Sequence, residues 1–334
     1  MKVLVTGGSG YVGSHVAKML HEQGHVPVVY DLQAKKRPWA SPSWEAVCGN
    51  VNDWQLLSTQ FKLHNFDAVI HLAASSEVGA SVSHPLRYYQ NNVGGSASVL
   101  EACVKFGVNK FVFSSTSSVY GEVDPAKLPT REHYPKNPAT SYGSSKLAVE
   151  TMLRDVDVAH GIRSVSLRYF NASGAAPDGT IGEFRLNPTH LIPSLQNVID
   201  GRCPEFVING GDYFTDDGTT VRDYTHVWDI AQAHIKALEY LEEIGKTDYI
   251  NIGAGEGKSV ISMMSEFLKQ ANVGLFPWRI GPRRAGDIPI NYADISRAKA
   301  LLQWEPKMSN AYSIVKDALN WYRSDLYKEL RNDE

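Results

Sequence analysis

The first 15 residues, MKVLVTGGSGYVGSH, constrain the fold of this chain more than any other stretch. Lys2–Thr6 is a short apolar run with β-branched residues, which is typical of a strand buried on both faces of a parallel sheet. Gly7, Gly10 and Gly13 follow and lead into a helical pattern. Glycines at this spacing permit a tight turn, close approach of the backbone to a pyrophosphate, and close packing of helix on strand. The stretch therefore predicts a dinucleotide site at the N-terminus of the first helix.

A second predicted strand, residues 25–32, carries Asp31 near its end, about 20 residues beyond the glycine turn. An acid at this place can accept hydrogen bonds from the ribose hydroxyls of adenosine, and its charge repels a 2′-phosphate. The sequence therefore predicts NAD rather than NADP as the cofactor. A structural turn followed by a capping aspartate is the alternative interpretation.

Further short apolar strands alternate with helical patterns along the chain. We expect strands at residues 45–49, 67–74, 110–115 and 165–170, and helices at residues 85–106 and 142–160. This alternation predicts an α/β fold with a doubly wound parallel sheet of the Rossmann type and a smaller C-terminal substrate domain. The expected NAD-binding domain covers residues 1–173, with residues 223–245 returning to it, and residues 174–334 form mainly the second domain.

Composition excludes several classes of partner. The 334 residues carry a net charge of −3, which gives no electrostatic reason to expect nucleic acid or a membrane surface as partner. The three cysteines are far apart and have neither metal-ligand nor disulfide-framework spacing.

Because the chain also shows neither a signal peptide nor an apolar run long enough for a membrane span, we expect a cytoplasmic protein. We expect no metal site, because no histidine has a second ligand at a useful spacing.

Hydroxyl side chains crowd the end of the fifth predicted strand, from Ser114 onward. About 25 residues later, Tyr142 and Lys146 stand four apart at the start of a predicted helix and so share one face. A free tyrosine has a pKa of about 10, and lowering it to about 7 requires about 4 kcal/mol. A nearby ammonium and a cationic nicotinamide ring can together supply this energy. We therefore predict that Tyr142 is a general base, with Thr116 or Ser115 hydrogen-bonded to the same substrate oxygen. An ordinary amphipathic helix is the alternative interpretation.

In these motifs the chain resembles the extended short-chain dehydrogenase/reductases, and within them the enzymes that epimerise UDP-sugars. The resemblance covers nearly the whole length, and its segments stand in the family's order: TGGSGYVGSH, SSTSSVYGE, SYGSSKLAVE, LRYFNASGA, VRDYTHVWD and PRRAGD. It implies a Rossmann domain followed by a UDP-sugar-binding domain, NAD held as a prosthetic group, and reversible oxidation of the sugar at C4 through a 4-keto intermediate. It also implies a homodimer formed through the helices at residues 85–106 and 142–160.

The resemblance further implies which residues form the two binding sites. The cofactor site comprises Gly7, Gly10, Tyr11, Val12, Gly13, Asp31, Asn50, Val51, Leu72, Ala73, Ala74, Ser76, Asn91, Ser115, Tyr142, Lys146, Tyr169 and Phe170. The substrate site comprises Ser76, Thr116, Tyr142, Asn171, His190, Leu191, Asn209, Arg222, Arg284, Asp287 and Asn291. In that family Arg222 and Arg284 would bind the UDP diphosphate and Asp287 the uridine ribose. For His190, a core or helix-entry histidine is an equal alternative.

Three departures from the family's pattern bear on the substrate. Ser76 stands where hexose-specific bacterial members often have a lysine, and Asn50 replaces the acid that usually faces adenine. Asn291 aligns with a tyrosine that restricts some members to UDP-glucose and UDP-galactose, so its smaller side chain predicts room for an N-acetyl group. Activity on UDP-N-acetylglucosamine is therefore a hypothesis, and UDP-pentoses such as UDP-xylose are the alternative substrates.

Two other functions found on this fold are less compatible with the sequence. Dehydratases of the superfamily place an Asp-Glu pair beside the fifth-strand hydroxyl, whereas this chain has Thr116, Ser117 and Ser118 there. A non-catalytic NAD-sensing binding protein typically lacks the tyrosine or the lysine, and both are present here. Dehydration and pure cofactor sensing are therefore not expected.

Overall fold

Strands and helices alternate along the chain in this computed structural model, which describes residues 1–37, 44–185, 187–284 and 287–332. The strands are β1 Lys2–Thr6, β2 Val26–Asp31, β3 Glu45–Cys48, β4 Ala68–His71, β5 Lys110–Thr116, β6 Arg163–Tyr169, β7 Asn171–Ser173, β8 Phe206–Asn209, β9 Val221–Arg222, β10 Tyr224–His226, β11 Asp248–Ile252, β12 Lys258–Ser259, β13 Trp278–Gly281 and β14 Ile290–Asn291. The helices are α1 Tyr11–Glu22, α2 Trp54–His64, α3 Val78–Ser83, α4 Pro85–Tyr88, α5 Gly95–Phe106, α6 Ser141–His160, α7 Leu191–Ile199, α8 Val227–Glu243, α9 Val260–Ala271, α10 Ser296–Leu302, α11 Ala311–Arg323 and α12 Asp325–Asn332. Two residues of the PRRAGD segment, Ala285 and Gly286, lie outside the described residues.

In the described part of the chain, seven parallel strands form the central sheet in the spatial order β3-β2-β1-β4-β5-β6-β11. β2 and β3 follow on one side of β1, and the chain then crosses over so that β4 lies on the other side of β1. This reversal opens a crevice beyond the carboxyl ends of β1 and β4, which is where ligands bind in doubly wound sheets. The predicted α/β fold with a doubly wound parallel sheet is confirmed.

Apolar side chains on both faces hold the sheet between two layers of helices. On one face, Val3 and Val5 of β1 pack with residues of α1, α8 and α10. On the other face, Leu4 packs with residues of α2, α5 and α6. Successive strand residues point to opposite faces, so a strand covered on both sides needs the continuous apolar run that opens this sequence.

The chain leaves the sheet after β6 and returns to it later. α8 packs beside α1, and β11 pairs with β6, placing Ile250 opposite Leu167. The sheet therefore includes residues beyond 245, where the predicted return ended. A further apolar core joins α7, α9, α11 and α12, with Phe267 and Trp321 fully buried. Among the described helices, none has the length and apolar composition that crossing a membrane requires.

The helix predicted at residues 85–106 is interrupted in the structure. α4 and α5 are joined by a π turn at Tyr89–Gly94. Asn92, within this turn, donates through Nδ2 to Oγ of Ser145 at 2.9 Å and to the carbonyl oxygen of Ser75 at 3.1 Å. A helical pattern of apolar residues cannot reveal such a turn, because it accompanies contacts with segments distant in sequence.

Gly13 lets α1 lie directly against the turn that follows β1. A Cβ atom on Gly13 would overlap the carbonyl oxygen of Gly7. Gly7 itself has a φ of 72°, and a Cβ atom there would lie 2.6 Å from the backbone nitrogen of Ala73. Gly13 is therefore required for helix packing, and Gly7 is required for the left-handed turn and for the close approach of the segment after β4.

We expect Gly13→Ala to lower the free energy of unfolding by about 2 kcal/mol, because the added methyl group overpacks the junction between α1 and the turn. The matched control is Gly79→Ala. Gly79 also lies in a helix, but a Cβ atom on it meets no described atom within 4 Å. Alanine there is expected to be neutral or to stabilise by up to about 1 kcal/mol. Urea unfolding followed by circular dichroism measures both, and equal stabilities would contradict the packing described at Gly13.

Candidate active site

The turn after β1 presents backbone N–H groups at the start of α1. Gly10 precedes α1, and no side chain in the described part of the chain caps this helix end. The hydroxyl of Ser9 is buried and lacks a hydrogen-bond partner among the described residues. The first N–H groups of a helix have no intrahelical acceptor, so they are open to an anion that the helix dipole also attracts. The turn therefore fits the pyrophosphate of a dinucleotide.

Asp31 ends β2 beside this turn. Its Oδ2 accepts from the backbone nitrogen of Ser9 at 3.0 Å, and its Oδ1 accepts from that of Gln33 at 2.7 Å. A carboxylate can accept about four hydrogen bonds, so Asp31 retains acceptor capacity for the two ribose hydroxyls. This position agrees with the predicted preference for NAD.

Other predicted cofactor residues follow the same edge of the sheet. Tyr11 and Val12 form the first turn of α1, and Leu72, Ala73 and Ala74 follow β4; all five are half-buried. These residues surround the crevice between β1 and β4.

The remaining predicted cofactor residues differ in exposure. Asn50 and Ser76 are exposed, whereas Asn91 and Phe170 are half-buried. Val51 is 6% exposed and its side chain packs in the core behind the sheet, so its backbone is the part that can reach a ligand.

Three predicted catalytic residues lie at the carboxyl end of β5 and the start of α6. Thr116 ends β5, and its hydroxyl hydrogen-bonds the phenol of Tyr142. Lys146 lies one helical turn after Tyr142 and is 2% exposed. Its ammonium donates to the carbonyl oxygen of Ser114 at 2.7 Å. α6 begins here because the hydroxyl of Thr140 caps it.

Burial dominates the electrostatics of this group. Burial raises the pKa of Tyr142 to about 12, against the opposing hydrogen bond with Thr116. Burial lowers the pKa of Lys146 to about 7, against the attraction of Glu150. The residues of the chain therefore do not by themselves make the phenol acidic, and the expectation from the sequence also included a cationic nicotinamide ring. A further positive charge beside Tyr142 is needed for it to act as a base near pH 7.

Two more tyrosines surround the Tyr142 phenol. The hydroxyl of Tyr169 donates to Oγ of Ser114, and the ring of Tyr88 meets that of Tyr142 edge-on with centroids 6.5 Å apart. Burial raises the pKa of both Tyr169 and Tyr88. These two phenols therefore stay neutral and enclose the site without competing for the proton. The sequence analysis did not identify Tyr88, because it lies on a helix distant in sequence from Tyr142.

The structure corrects the prediction for Ser115. This residue is fully buried, and its hydroxyl donates to Oε1 of Glu150 at 2.6 Å. Residues alternate along a strand, so Ser114 and Thr116 share one face of β5 and Ser115 lies on the other. Its side chain is therefore not available to the cofactor or to the phenol, and Thr116 is the hydroxyl beside Tyr142.

A buried ion pair behind Ser115 was not identified from the sequence. Arg168 donates through Nε and Nη2 to the two carboxylate oxygens of Glu150, at 2.8 and 2.6 Å. Both residues are 2% exposed. The signal was present, because Glu150 follows Lys146 by one helical turn and Arg168 interrupts the apolar strand β6.

Two predicted substrate residues form an ion pair at a second polar cluster. Nη2 of Arg222 lies 3.2 Å from Oδ1 of Asp287, and both residues are half-buried. The two arginines of the PRRAGD segment have different surroundings. Arg283 pairs with Asp212, whereas Arg284 is exposed and forms no salt bridge with any described residue. Arg284 is therefore free to bind a phosphate group.

Asn291 connects this cluster to the carboxyl end of β5. It pairs with Arg222 in the register of β14 and β9. Its Nδ2 lies 3.4 Å from Oγ of Ser117, and its Oδ1 accepts from the hydroxyl of Thr130 at 3.3 Å. Asn291 therefore contacts both the strand that carries Arg222 and the residue that directly follows Thr116.

His190 immediately precedes α7, is exposed, and pairs with a buried carboxylate. Its Nδ1 lies 2.8 Å from Oε1 of Glu183, which is 5% exposed and was not identified from the sequence. Burial raises the pKa of Glu183, but the charges of His190 and Arg185 lower it below its ordinary value. The carboxylate at Nδ1 fixes the orientation of the imidazole ring and leaves Nε2 for another partner.

The other predicted substrate residues are more widely spread. Asn171 begins β7 and donates through Nδ2 to the carbonyl oxygen of Asp223 at 3.2 Å. Leu191 begins α7 and Asn209 ends β8, so both belong to the region of the C-terminal core. Asn171 follows by two residues Tyr169, which pairs with Thr116 at the end of β5, whereas Leu191 and Asn209 lie in other elements.

Comparison with known proteins connects this site to a family. Residues 3–253 match the NAD dependent epimerase/dehydratase family. The UDP-glucose 4-epimerase of Halalkalibacterium halodurans is 42% identical over 323 residues, which cover 97% of this chain and 96% of that protein. The UDP-glucose 4-epimerase of Stenotrophomonas maltophila, solved with NAD and formylated UDP-arabinopyranose, gives a TM-score of 0.92 at 35% identity over 100% of both chains. The UDP-Glc/GlcNAc 4-epimerase of Campylobacter jejuni gives a TM-score of 0.81 at 37% identity over 96% of this chain and 98% of that chain.

Proposed function

This chain belongs to the NAD dependent epimerase/dehydratase family, and from that premise we propose that it is an NAD-dependent enzyme that interconverts UDP-glucose and UDP-galactose at C4. The observation that carries the proposal is the meeting of Thr116, Tyr142 and Lys146 at the edge of the sheet. This group lies beyond the same carboxyl ends of the strands as the glycine turn. Hydroxyl, phenol and ammonium are the groups that a reversible oxidation of a secondary alcohol requires.

The residues of the chain fit NAD at the crevice between β1 and β4. The uncapped start of α1 would hold the pyrophosphate, and Asp31 would accept from the adenosine ribose. When bound, NAD supplies the acceptor for the C4 hydride and a positive ring charge near the Tyr142 phenol. We expect the cofactor to stay bound through the cycle, because the reaction has no net redox change.

Tyr142 acts as the base and then as the acid at the 4-hydroxyl. It removes the proton as C4 is oxidised to a ketone, and it returns the proton to the same oxygen when C4 is reduced on its other face. Thr116 holds the phenol by a hydrogen bond, and Lys146 is held in place by the carbonyl oxygen of Ser114. Thr116 is followed by Ser117 and Ser118 rather than by an Asp-Glu pair, so the site is less suited to the elimination of water.

Binding energy is placed at the nucleotide end of the substrate. Arg222 and Arg284 would bind the diphosphate, and Asp287 would accept from the uridine ribose. The 4-keto sugar must turn over between oxidation and reduction, so strong contacts to the sugar itself would slow the reaction. We propose accordingly that residues 174–334 contribute mainly to UDP-sugar binding and residues 1–173 to NAD binding.

We expect Tyr142→Phe to lower kcat for the conversion of UDP-glucose about 1,000-fold, because phenylalanine keeps the ring and removes the proton acceptor. The matched control is Tyr240→Phe. Tyr240 is also buried, and its hydroxyl lies 3.4 Å from a carboxylate oxygen of Asp248 in the sheet layer that contains α8 and β11. This control is expected to keep kcat within about twofold.

The products of UDP-glucose and UDP-galactose are separated by chromatography, and bound NAD is measured after free nucleotide has been removed. A Tyr142→Phe protein with nearly full activity would exclude the phenol as the base. A wild-type protein that binds NAD and converts no UDP-sugar would favour the non-catalytic NAD-sensing alternative.

A second activity, on UDP-N-acetylglucosamine, is favoured by the position of Asn291. Its amide contacts Ser117 and Thr130, and it is smaller than the tyrosine that would stand at this position in the more restricted members of the family. The Campylobacter jejuni relative carries both UDP-Glc and UDP-GlcNAc in its name. We therefore propose that this chain also accepts the N-acetylated sugar.

We expect Asn291→Tyr to lower kcat/KM for UDP-N-acetylglucosamine at least about tenfold, because one misplaced bulky group in a pocket is worth about 1–3 kcal/mol. UDP-glucose, which lacks the acetamido group, is expected to change by less than about threefold. Asn291→Ser is the control that removes the amide without adding bulk. An unchanged preference in Asn291→Tyr would contradict the role of this position, and rapid conversion of UDP-xylose by the wild type would support the UDP-pentose alternative.

We propose a homodimer formed through the helices on one face of the sheet. α6 packs against both α4 and α5, and Leu86, Val104 and Val158 on these helices are exposed large apolar side chains. Exposed apolar side chains can contribute to an interface between subunits. Light scattering after size exclusion is expected to give twice the 36.9 kDa chain mass for the wild type and once that mass for Leu86→Glu. A monomeric wild type would refute the dimer.

The proposed location is the cytoplasm. Cys48, Cys103 and Cys203 are free thiols in the structure, and free thiols are stable in that reducing compartment. Cell fractionation tests this, and recovery of the enzyme outside the cell would contradict it.

A further inference from the structure

The ion pair of Glu150 and Arg168 is a buried feature that the proposed reaction does not use directly. Its two hydrogen bonds are bidentate, and the Arg168 guanidinium lies between the rings of Tyr120 and Tyr249, 5.1 and 5.0 Å from their centroids. Nη1 of Arg168 also donates to the hydroxyl of Tyr120 at 2.9 Å. A buried ion pair usually stabilises a protein no more than well-packed apolar residues would. Stability alone therefore gives little reason to bury two charges here.

The location of the carboxylate suggests another role. Glu150 lies one helical turn after Lys146 on α6, and its Oε1 accepts from Oγ of Ser115 at 2.6 Å. Ser115 stands between the two residues of β5 that hold the catalytic pair. On one side, the carbonyl oxygen of Ser114 accepts from the Lys146 ammonium, and on the other, Thr116 hydrogen-bonds the phenol of Tyr142. A carboxylate that fixes Ser115 therefore fixes the end of the strand between both contacts.

Glu150 also provides the negative charge that faces Lys146. Among the described residues, the titratable groups that act on this ammonium are His71 on β4 and Glu150 on α6, and Tyr142 and Tyr169 lie at the same end of the sheet. Burial, and then the charge of Lys146, lower the pKa of His71 to about 3, so it is neutral at pH 7. Burial raises the pKa of both tyrosines, which are neutral as well. Arg168 on β6 faces the same carboxylate from its other side.

We propose that Glu150 is a positioning residue of the active site. Held by Arg168, its carboxylate fixes the carboxyl end of β5 through Ser115 and stabilises the charged form of Lys146. It touches neither substrate nor cofactor in this assignment, and it acts through the two residues that flank Ser115. The proposal rests on the epimerase function proposed above, because the positions that it fixes are those of Tyr142 and Lys146.

Two variants separate the mechanical and the electrostatic parts of this role. Ser115→Ala removes one hydrogen bond and leaves the ion pair intact. It is expected to lower kcat about tenfold with KM within about twofold, which corresponds to about 1.4 kcal/mol of transition-state stabilisation. Glu150→Gln keeps the shape and removes the charge. It is expected to lower kcat about 100-fold and to move the alkaline limb of the kcat profile to lower pH by about one unit, because Lys146 then loses its proton more easily.

A matched control distinguishes this role from a general effect on stability. His226 and Asp317 form a second buried pair, 0% and 2% exposed, between the start of α8 and α11. Asp317→Asn breaks this pair and is expected to lower Tm, as Glu150→Gln also does. The kcat and pH profile of the folded control protein are expected to stay those of the wild type. If Glu150→Gln fails to fold, two other variants test the positioning role. They are Ser115→Ala and Arg168→Lys, and the latter keeps the charge but loses the bidentate geometry.

The measurements are kcat, KM and the pH profile for UDP-glucose in the NAD-loaded full chain, with Tm from circular dichroism. An active wild type with kcat reduced in Ser115→Ala and the alkaline limb shifted in Glu150→Gln supports the proposal. Wild-type kcat and pH profile in both variants would overturn it and leave the epimerase function intact. A wild type without epimerase activity would overturn both proposals, so the two failures are distinguishable.

Discussion

Burial of the Lys146 ammonium at the end of β5 is the interaction on which the arrangement of the site depends. The charge is removed from water, and burial lowers the pKa of Lys146 to about 7. It remains in place because the carbonyl oxygen of Ser114 accepts a hydrogen bond from it and the charge of Glu150 opposes the effect of burial. The same burial raises the pKa of Tyr142 to about 12. The fold therefore places a lysine with a lowered pKa one helical turn from a tyrosine with a raised pKa. Both side chains contact the carboxyl end of β5.

Local sequence patterns predicted most of the fold, because residues close together in the sequence determine where each strand of the sheet forms. β1 begins and ends where the apolar run of Lys2–Thr6 predicts, since a strand covered on both faces needs that run. Long-range contacts set the rest. The π turn at Tyr89–Gly94 accompanies bonds from Asn92 to distant serines, and no pattern within the helix signals them. By contrast, side chains alternate between the two faces of a strand, so the face of β5 on which Ser115 lies could have been predicted from the sequence.

For the substrate site, the sequence indicated which residues would take part but not which of them would contact each other. Arg222 and Asp287 were assigned to separate parts of UDP, and the structure joins them in one ion pair. Of two adjacent arginines, Arg283 is engaged by Asp212 and Arg284 is exposed. Such choices depend on how loops meet in space, which single-sequence reasoning cannot determine. The consequence is favourable for the proposed reaction, because a guanidinium already fixed by a carboxylate is oriented before the diphosphate arrives.

The raised pKa of Tyr142 suits a reaction that must run in both directions. Lowering it from about 12 to about 7 requires about 7 kcal/mol. The charges of the chain, Lys146 included, already act on this phenol, so the energy has to come from a further positive charge at the site. One unit charge 4 Å away is worth about 4 kcal/mol at an effective dielectric constant of about 20, which is more than half of that energy. An oxidised nicotinamide ring would supply that charge and a reduced one would not, so the pKa of the phenol would rise again in the reduced state. Tyr142 would then hold the proton until the sugar is reduced on its other face.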